Sequence, residues 1–585
     1  MDKRWQLSPK INSELSELFP EINGVILQLL HNRGLTTQEA IDQFLEPNFE
    51  GHLYDPFLFK DMAKAMDRLF IAVNSGEKVT VYGDYDADGV CSTVVLYEAL
   101  KGLGLEVDIY IPFRETEGYG LNTKVVQQII REKFQLVITV DCGVANFNEV
   151  KDLQSAGIDV MILDHHEEPL QLPPAYALIN PNIKSCGYPV SRLCGAGVVF
   201  KFVQAIIKWQ EQNNSPIKLP QGFEKWLLDL VAIATVGDIV PLVNENRILV
   251  KYGLVVLEKT KNLGLKLLME SVNNRYGGID TEYVGWRLVP RINAAGRINH
   301  ASAAFYLLTA QTNEEAEKWV NQLEENNKYR QQLTESIMKQ AEDQLKDLEE
   351  TTRAIIVVGD GWPVGVVGLV AGRLSDRHHR PALVFTEGID EVSGEKKFTA
   401  SGRSIEEFDI TAALKDCAEY LLRYGGHPQA CGLTIIGEDN FNKFKERFLH
   451  LAADKLVGVE LVSVLEVEAE IKLSDLNWRL LDELLKMEPF GEANPKPLFM
   501  AKNLNVEQVQ TVGADGKHLK VLVSQDGDIN NLHKLIGFSF GDWCAKLNAG
   551  DKIDIVFELG VNEWNGNREL QLKINDLKLS SNTFL

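Results

Sequence analysis

The sequence predicts an α/β fold. A mostly parallel-sheet domain is joined by a long helix to a second α/β lobe, and a small β-barrel ends the chain. Three observations predict it. Between residues 78 and 179, short apolar runs alternate with helical stretches, the pattern of a parallel sheet with crossover helices. Residues 313–349 lack Gly and Pro and carry apolar residues at steps of three and four, as one uninterrupted helix would. From about residue 460 the polarity alternates with a period of two, as in a small antiparallel barrel.

At 585 residues the chain exceeds what one core supports. Its 45% apolar and 24% charged content are those of ordinary globular protein. No apolar run is long enough for a membrane span, and Met1-Asp2-Lys3-Arg4-Trp5-Gln6 carries no signal-peptide pattern. The seven cysteines are scattered without a Cys-x-x-Cys pair, which predicts reduced thiols in a cytoplasm and argues against structural zinc. The net charge of −23 requires that any nucleic-acid site be a local basic channel.

Residues 1–70 read as a helical cap on the next domain, with helical spacing at Glu39–Leu45 and Met62–Ile71. The parallel-sheet domain is expected over 71–312, with strands at 78–83, 106–111, 136–140, 159–163 and 176–179. Ligands gather at the carboxyl ends of such strands. The first strand runs into Tyr82-Gly83-Asp84-Tyr85-Asp86-Ala87-Asp88-Gly89. If it continues through, its period of two puts Asp84, Asp86 and Asp88 on one side. Three carboxylates that close repel unless a cation sits among them. Asp88 as the N-cap of the next helix would account for one and leave two.

The third strand ends in Asp141-Cys142-Gly143 and the fourth in Asp164-His165-His166. Asp238 follows the apolar helix 226–234. Alone it would be a turn residue before Pro241, and its company gives it weight. This nitrogen and oxygen donor set without thiolate suits Mn²⁺ or Mg²⁺. Two such ions would activate water and hold the charge that develops on a phosphoester.

Residues 286–297 read as a loop broken by Pro290 and Gly296, carrying Arg287, Arg291, Asn293 and Arg297. It is either a solvated basic loop or a contact for a phosphate backbone. The joining helix at 313–349 would span about 55 Å and leave a groove between lobes. The second lobe, 350–456, has strands at 354–358 and 382–385 and a helix at 365–374. Glycines in Phe398–Ser404 and Gly425–Gly432 allow close backbone approach, and Ser401, Arg403 and His427 would supply phosphate contacts. The alternatives are tight turns and a core histidine. The barrel, 457–585, has strand candidates at 463–471, 498–508, 518–524, 533–538, 552–559 and 568–576, with turns at Asp526-Gly527 and Asn565-Gly566. It is either an oligonucleotide-binding barrel or a packing module.

With Asp84-Tyr85-Asp86-Ala87-Asp88-Gly89, Asp141-Cys142-Gly143, Asp164-His165-His166, Gly237-Asp238 and Gly425-Gly426-His427 in this order, the chain resembles the DHH phosphoesterase family. The resemblance implies Asp84, Asp86, Asp88, Asp141, His165 and Asp238 at or around two Mn²⁺ or Mg²⁺ ions. Asp141 would bridge them, His166 would face the scissile phosphate, and Asp164 would orient the histidines. Asp84 is either a ligand or the holder of a neighbouring water. It further implies that Ser401 and Arg403, helped by Arg114, hold a 5′ phosphate, and that Arg291, Asn293, Arg297 and Arg373 line the strand path.

Within the family, motif order, joining helix and terminal barrel resemble the 5′→3′ exonucleases that degrade single-stranded DNA to 5′ mononucleotides in repair and recombination. The implied partners are single-stranded DNA, a single-strand-binding protein and a helicase, with no membrane, for a monomer. Tyr82 stands where the family's pyrophosphatases place a His. The alternatives are a phosphodiesterase of short oligonucleotides or cyclic dinucleotides, and a catalytically dead single-strand-binding scaffold. The intact acidic motifs argue against the last.

Overall fold

The N-terminal residues pack with the C-terminal end of the chain. The computed structural model describes residues 3–272, 278–346, 349, 351–527, 531–564 and 567–580. In it, β1 (Arg4–Leu7) pairs in parallel with the strand Val464–Val467. The helices Gly24–Asn32 and Gln38–Leu45 bury Leu27, Leu30, Ile41 and Phe44 in the same core as Phe499 and Phe557 of the barrel. They therefore do not form the expected cap on the next domain. Two short helices cannot enclose their own apolar faces, and their periodicity reveals a face without naming what covers it. Capping of the first sheet falls to α1 (Met62–Ser75), whose Met62, Met66 and Leu69 enter that sheet's core.

That sheet contains β2 (Val79–Tyr82), β3 (Val107–Tyr110), β4 (Leu136–Val140), β5 (Asp159–Leu163) and β6 (Ala177–Ile179). All pair in parallel, in the order β3-β2-β4-β5-β6. β2 and β4 are buried on both faces, so they read as continuous apolar runs. The chain passes from β2 to β3 on one side and returns to β4 on the other, so a crevice opens at the carboxyl ends of β2 and β4. The helices α2 (Ala87–Gly102), α3 (Gly195–Gln212) and α4 (Leu228–Gly237) pack together beside it.

Two local expectations are corrected. β2 stops at Tyr82, and Asp86 is the N-cap of α2, accepting from the Asp88 and Gly89 amides at 3.0 and 3.1 Å. A tight turn, not a strand face, gathers the three aspartates, and the cap is Asp86, not Asp88. Residues 286–297 are not a loop. A π-helical turn, Val284–Leu288, runs into α5 (Val289–Ile298). Pro290 sits in the first turn of α5, where no amide hydrogen is needed. Gly296 is required there because a Cβ would lie 2.5 Å from the Tyr85 carbonyl oxygen.

The joining helix α6 (Asn313–Gln344) has 32 residues, about 48 Å at ~1.5 Å per residue. It ends before the expected 349, with Leu345 as its C-cap. Its first half packs Ala316, Val320 and Leu323 into the first core, and its second half packs Ile337, Met338 and Ala341 into the second lobe.

The second lobe holds β7 (Ile355–Asp360), α7 (Val364–His378), β8 (Ala382–Ile389), β9 (Lys396–Arg403), β10 (Arg423–His427) and β11 (Ala430–Ile436). The sheet order is β10-β11-β9-β8-β7, with only β7 and β8 parallel. β12 (Val464–Val467) and β13 (Ala469–Glu470) lead into the barrel strands β14 (Phe499–Val512), β15 (His518–Ser524), β16 (His533–Gly537), β17 (Lys552–Trp564) and β18 (Asn567–Leu579). The β14–β17 pairing closes the barrel. Asp526 and Gly527 turn with φ of 55° and 77°. The Asn565-Gly566 turn lies outside the described residues.

Arg247 joins these units. Its buried guanidinium donates to the carbonyls of Phe44 at 2.9 Å and Glu488 at 2.8 Å, and it stacks 3.8 Å from the Phe44 ring. Burial lowers its pKa to about 9. Arg247→Ala strands those carbonyls. It is expected to lower stability by about 3 kcal/mol and to expose the 486–489 segment to limited proteolysis.

Candidate metal centre

The carboxyl ends of β2, β4 and β5 deliver the acidic cluster. Three groups of ligand atoms lie within 4.8 Å of one another: Asp84, Asp86 and Asp141; Asp88, His165 and Asp238; and Asp141, His165 and His166. Asp141 and His165 each belong to two groups, which places them at the middle. Asp141 ends β4 with φ of 58°, a left-handed conformation unusual for a residue with a Cβ. Gly195, at the start of α3, lets the chain approach: a Cβ there would lie 2.7 Å from the Asp141 Cβ.

The electrostatics call for a cation. Asp84 Oδ1 and Asp141 Oδ1 are buried without a hydrogen bond. His165 Nε2 lies 2.9 Å from Asp141 Oδ1 without the alignment of one. Burial, then Asp86, pushes the Asp84 carboxyl well above the usual range. Burial, then Asp88, Asp86 and Asp84, does the same to Asp141. Burial and the charges of Asp88 and Asp86 push Asp238 up to about 8. Buried like charges with lone pairs unspent are stabilised by a hard divalent ion, and the mixed imidazole and carboxylate donors fit one.

The three motif aspartates differ in what they have free. Asp86 spends Oδ1 on capping α2. Asp88 accepts from the Gly195 amide at 2.6 Å, the Ala196 amide at 2.8 Å and Ser92 Oγ at 3.3 Å. Asp88 thus holds the N-terminus of α3 against the site, where the helix dipole favours its charge. Asp84 keeps a buried oxygen free, as a ligand needs.

Asp164 is fully buried and accepts from the amides of Val144, His165 and His166 at 2.9, 2.7 and 3.2 Å, and from His166 Nδ1 at 2.8 Å. Burial raises its pKa, but the His166 hydrogen bond, the charges of His166 and His165 and the Val144 amide together outweigh it and hold the carboxyl below the usual range. Burial likewise opposes charge on His166, and Asp164, with the charges of Asp84 and Asp238, prevails, raising the imidazolium to about 9. Sequence reasoning missed Tyr119, whose hydroxyl lies 2.9 Å from His166 Nδ1 and donates to the Asp141 carbonyl at 3.2 Å. It also missed Asn180 and Asn182, whose amides hold the His166 and His165 carbonyls. Asn180 follows β6 directly and Asn182 lies two residues further on, so the strand-end rule that found the aspartates applies to them too.

A basic cluster faces this centre from both lobes. Arg114 stacks 4.9 Å over the Tyr85 ring. Arg297 donates to the Gly365 carbonyl at 3.0 Å. Burial, then Arg114, lowers Arg297 to about 10, with Asp86 opposing and Arg330 and Arg403 adding to the shift. Arg403, on β9, is lowered by burial and also repelled by Arg114. Arg330 of α6 feels Arg373 and Arg291. It was not singled out from the sequence, because in a charged helix it resembles any solvated residue.

Two of the other candidates are engaged elsewhere. Arg291 is paired with Glu324 at 2.7 Å. Asn293 Oδ1 accepts from the Ala87 amide at 2.8 Å, tying α5 to the acidic turn. Ser401 lies on β9 beneath α7, where a Cβ on Gly368 would come within 3.4 Å of its Cβ. Arg373 is exposed on α7. His427 is exposed at the end of the edge strand β10 and is not a core histidine.

A parallel sheet whose strand ends converge on buried carboxylates and a His-His pair, faced by arginines from both lobes, defines a metal-dependent phosphoesterase. Family models agree along the chain: DHH family, N-terminal domain, over residues 78–235; DHHA1 domain over 351–454; and RecJ OB domain over 467–576. The single-stranded-DNA-specific exonuclease RecJ of Bacillus subtilis (strain 168) is 36% identical over 579 residues, covering 99% of this chain and 71% of its own. RecJ of Escherichia coli (strain K12) is 31% identical, covering 99% of this chain and 100% of its own. The crystal structure of RecJ in complex with Mn²⁺ from Thermus thermophilus matches with a TM-score of 0.81 at 28% identity, over 99% of this chain and 80% of that one. The chain belongs to the RecJ family of single-stranded-DNA-specific exonucleases.

Proposed function

We propose that this chain removes 5′ mononucleotides from single-stranded DNA in the 5′→3′ direction by water attack on the terminal phosphodiester. Single-stranded-DNA-specific exonuclease activity, with Mn²⁺ or Mg²⁺ as cofactor, is its function. The observation that carries the polarity is that Arg114, Arg297 and Arg403 gather from two lobes beside the acidic centre. A terminal phosphate held there leaves the next phosphodiester at the carboxylates.

Asp84, Asp86, Asp88, Asp141, His165 and Asp238 are the residues that would hold two ions, and Asp141 and His165 each belong to two of the ligand groups. Bound there, divalent cations lower the pKa of water and neutralise charge on the phosphorus oxygens. Asp164 fixes the His165–His166 loop, and the His166 imidazolium is placed to donate to a phosphate oxygen. Arg403 and Ser401 orient the 5′ phosphate, while Asn293 keeps α5 against the acidic turn. We assign a cytoplasmic monomer that works on strands opened by a helicase and coated by a single-strand-binding protein. The seven free thiols suit that compartment.

With Mn²⁺, a 5′-labelled single strand is expected to release mononucleotides from the first moments, and blunt duplex is expected to resist. Release from the 3′ end alone would sink the polarity. Arg403→Ala is expected to raise KM about tenfold or more for 5′-phosphorylated strands and far less for 5′-hydroxyl strands. Equal effects on both would remove Arg403 from the terminal phosphate.

A further inference from the structure

Trp286 stands apart from the other tryptophans among the described residues. It is 78% exposed, although an indole normally covers a large apolar area. It sits on the π-helical turn Val284–Leu288, directly before α5, which carries Asn293 and Arg297 to the metal centre. Such turns are frequent at functional sites. Trp286 lines a cleft of about 270 Å³ together with Val236, Ile239, Phe490 and Lys496.

Ile239 supplies an independent sign. It directly follows Asp238, is 70% exposed, and has φ of 55°. A β-branched residue in the left-handed region is strained, and strain without burial has no packing return. Two apolar side chains are thus held in solvent on one cleft, one of them next to an acidic residue of the metal centre.

The cleft's position beside the metal centre suits a nucleic-acid strand; its own lining carries Glu282, Glu492 and Lys496, so it suits a base and not a phosphate. Arg287 is exposed beside Trp286, and Arg291 lies one turn further on. Glu282, which also lines the cleft, lies 3.6 Å from Lys496 and is offset by it. The cleft runs from Ile239, the residue after Asp238, to Phe490, which precedes the barrel strands, while Ser401 and Arg403 lie in the other lobe. A strand whose 5′ phosphate is held at Arg403 and whose scissile bond is at Asp141 therefore leaves along Trp286.

Resting on the exonuclease reading above, we infer that Trp286 is a stacking platform for one nucleobase on the 3′ side of the scissile phosphate, with Ile239 as the side wall of the same subsite. Stacking on an exposed aromatic is sequence-tolerant, since every base has a π-face. The subsite would grip a base that is not being cleaved and hold the strand between turnovers. A duplex, whose bases are already stacked on one another, could not use it.

The test walks a single abasic site along a 5′-phosphorylated single strand. Affinity is read by fluorescence anisotropy with Ca²⁺ in place of the catalytic ion, and degradation is read with Mn²⁺. In the unmutated chain, the abasic site is expected to weaken binding about tenfold at one position downstream of the first phosphodiester. In Trp286→Ala, intact strands long enough to reach the cleft should lose about the same factor, and the abasic site should then cost nothing more there. Strands too short to reach it should be unaffected, and Trp286→Phe should restore most of the loss. Trp286→Ala binding all strands as the unmutated chain does, or losing affinity equally at every length, would overturn the inference while leaving the exonuclease reading intact. An unmutated chain that degrades no single strand would overturn both.

Discussion

Asp141→Asn is expected to abolish hydrolysis of single-stranded DNA, by about a thousandfold or more in kcat, while raising the stability of the metal-free protein. The first effect follows from position. Asp141 shares one ligand group with Asp84 and Asp86 and another with His165 and His166. An amide keeps the shape but removes the charge that holds a divalent ion. The second effect follows from burial. Asp141 is 3% exposed, among Asp84, Asp86, Asp88 and Asp238, and its carboxyl is pushed well above the usual range. A folded-state pKa raised above the unfolded value of about 3.9 means that the fold bears no penalty below that pH. The penalty grows as pH rises above it. The gain from Asn should therefore vanish near pH 4 and reach about 2 kcal/mol at neutral pH. Thermal unfolding in chelator across this range measures it. In Mn²⁺ the order should reverse, because the unmutated protein gains the binding free energy. Loss of activity without that reversal would mean that Asp141 acts otherwise than through a cation.

Gly89→Ala tests the acidic turn without touching a charge. Gly89 lies in the first turn of α2, where Ala would ordinarily favour the helix by about 1 kcal/mol. Its Cβ, however, would lie 2.6 Å from the Asp84 carbonyl carbon, oxygen and Cβ. Backbone atoms cannot swing aside as a side chain can, so the turn that presents Asp84 must open. The expected result is a loss of about 3 kcal/mol in stability, together with a hundredfold or greater fall in kcat and weaker Mn²⁺ binding. Gly24→Ala is the control. Gly24 begins the helix Gly24–Asn32, with nothing within 4 Å of its added Cβ. It should leave activity unchanged. If Gly89→Ala behaves like Gly24→Ala, the close packing of the acidic turn is not what sets the site.

The metal centre was legible in the sequence because a parallel sheet writes its active end in chain order. An apolar run followed by Asp marks the end of β2, of β4 and of β5, and no tertiary knowledge is needed to see it. How those residues divide the work was not legible. Asp88 is engaged by the amides of Gly195 and Ala196, more than a hundred residues away. Asp86 became the cap because β2 ends early, which a period-two reading cannot see. Tyr119 and Arg330 escaped for the same reason: each acts through a neighbour that only folding brings near. The N-terminal helices show the limit at the scale of domains. Their apolar stripes were plain, yet the barrel that covers them is built from residues more than 400 positions later. By contrast, α6 was legible nearly whole, since a run without Gly or Pro and with a constant apolar period depends on nothing distant.

Anomalous diffraction from crystals grown with Mn²⁺, recorded at the manganese edge, tests the central claim most directly. Two peaks are expected between the carboxylates of Asp84, Asp86, Asp141 and Asp238 and the His165 imidazole, with Asp141 touching both. No peak within ligand distance of Asp141, in a protein that still degrades single strands in Mn²⁺, would contradict the account.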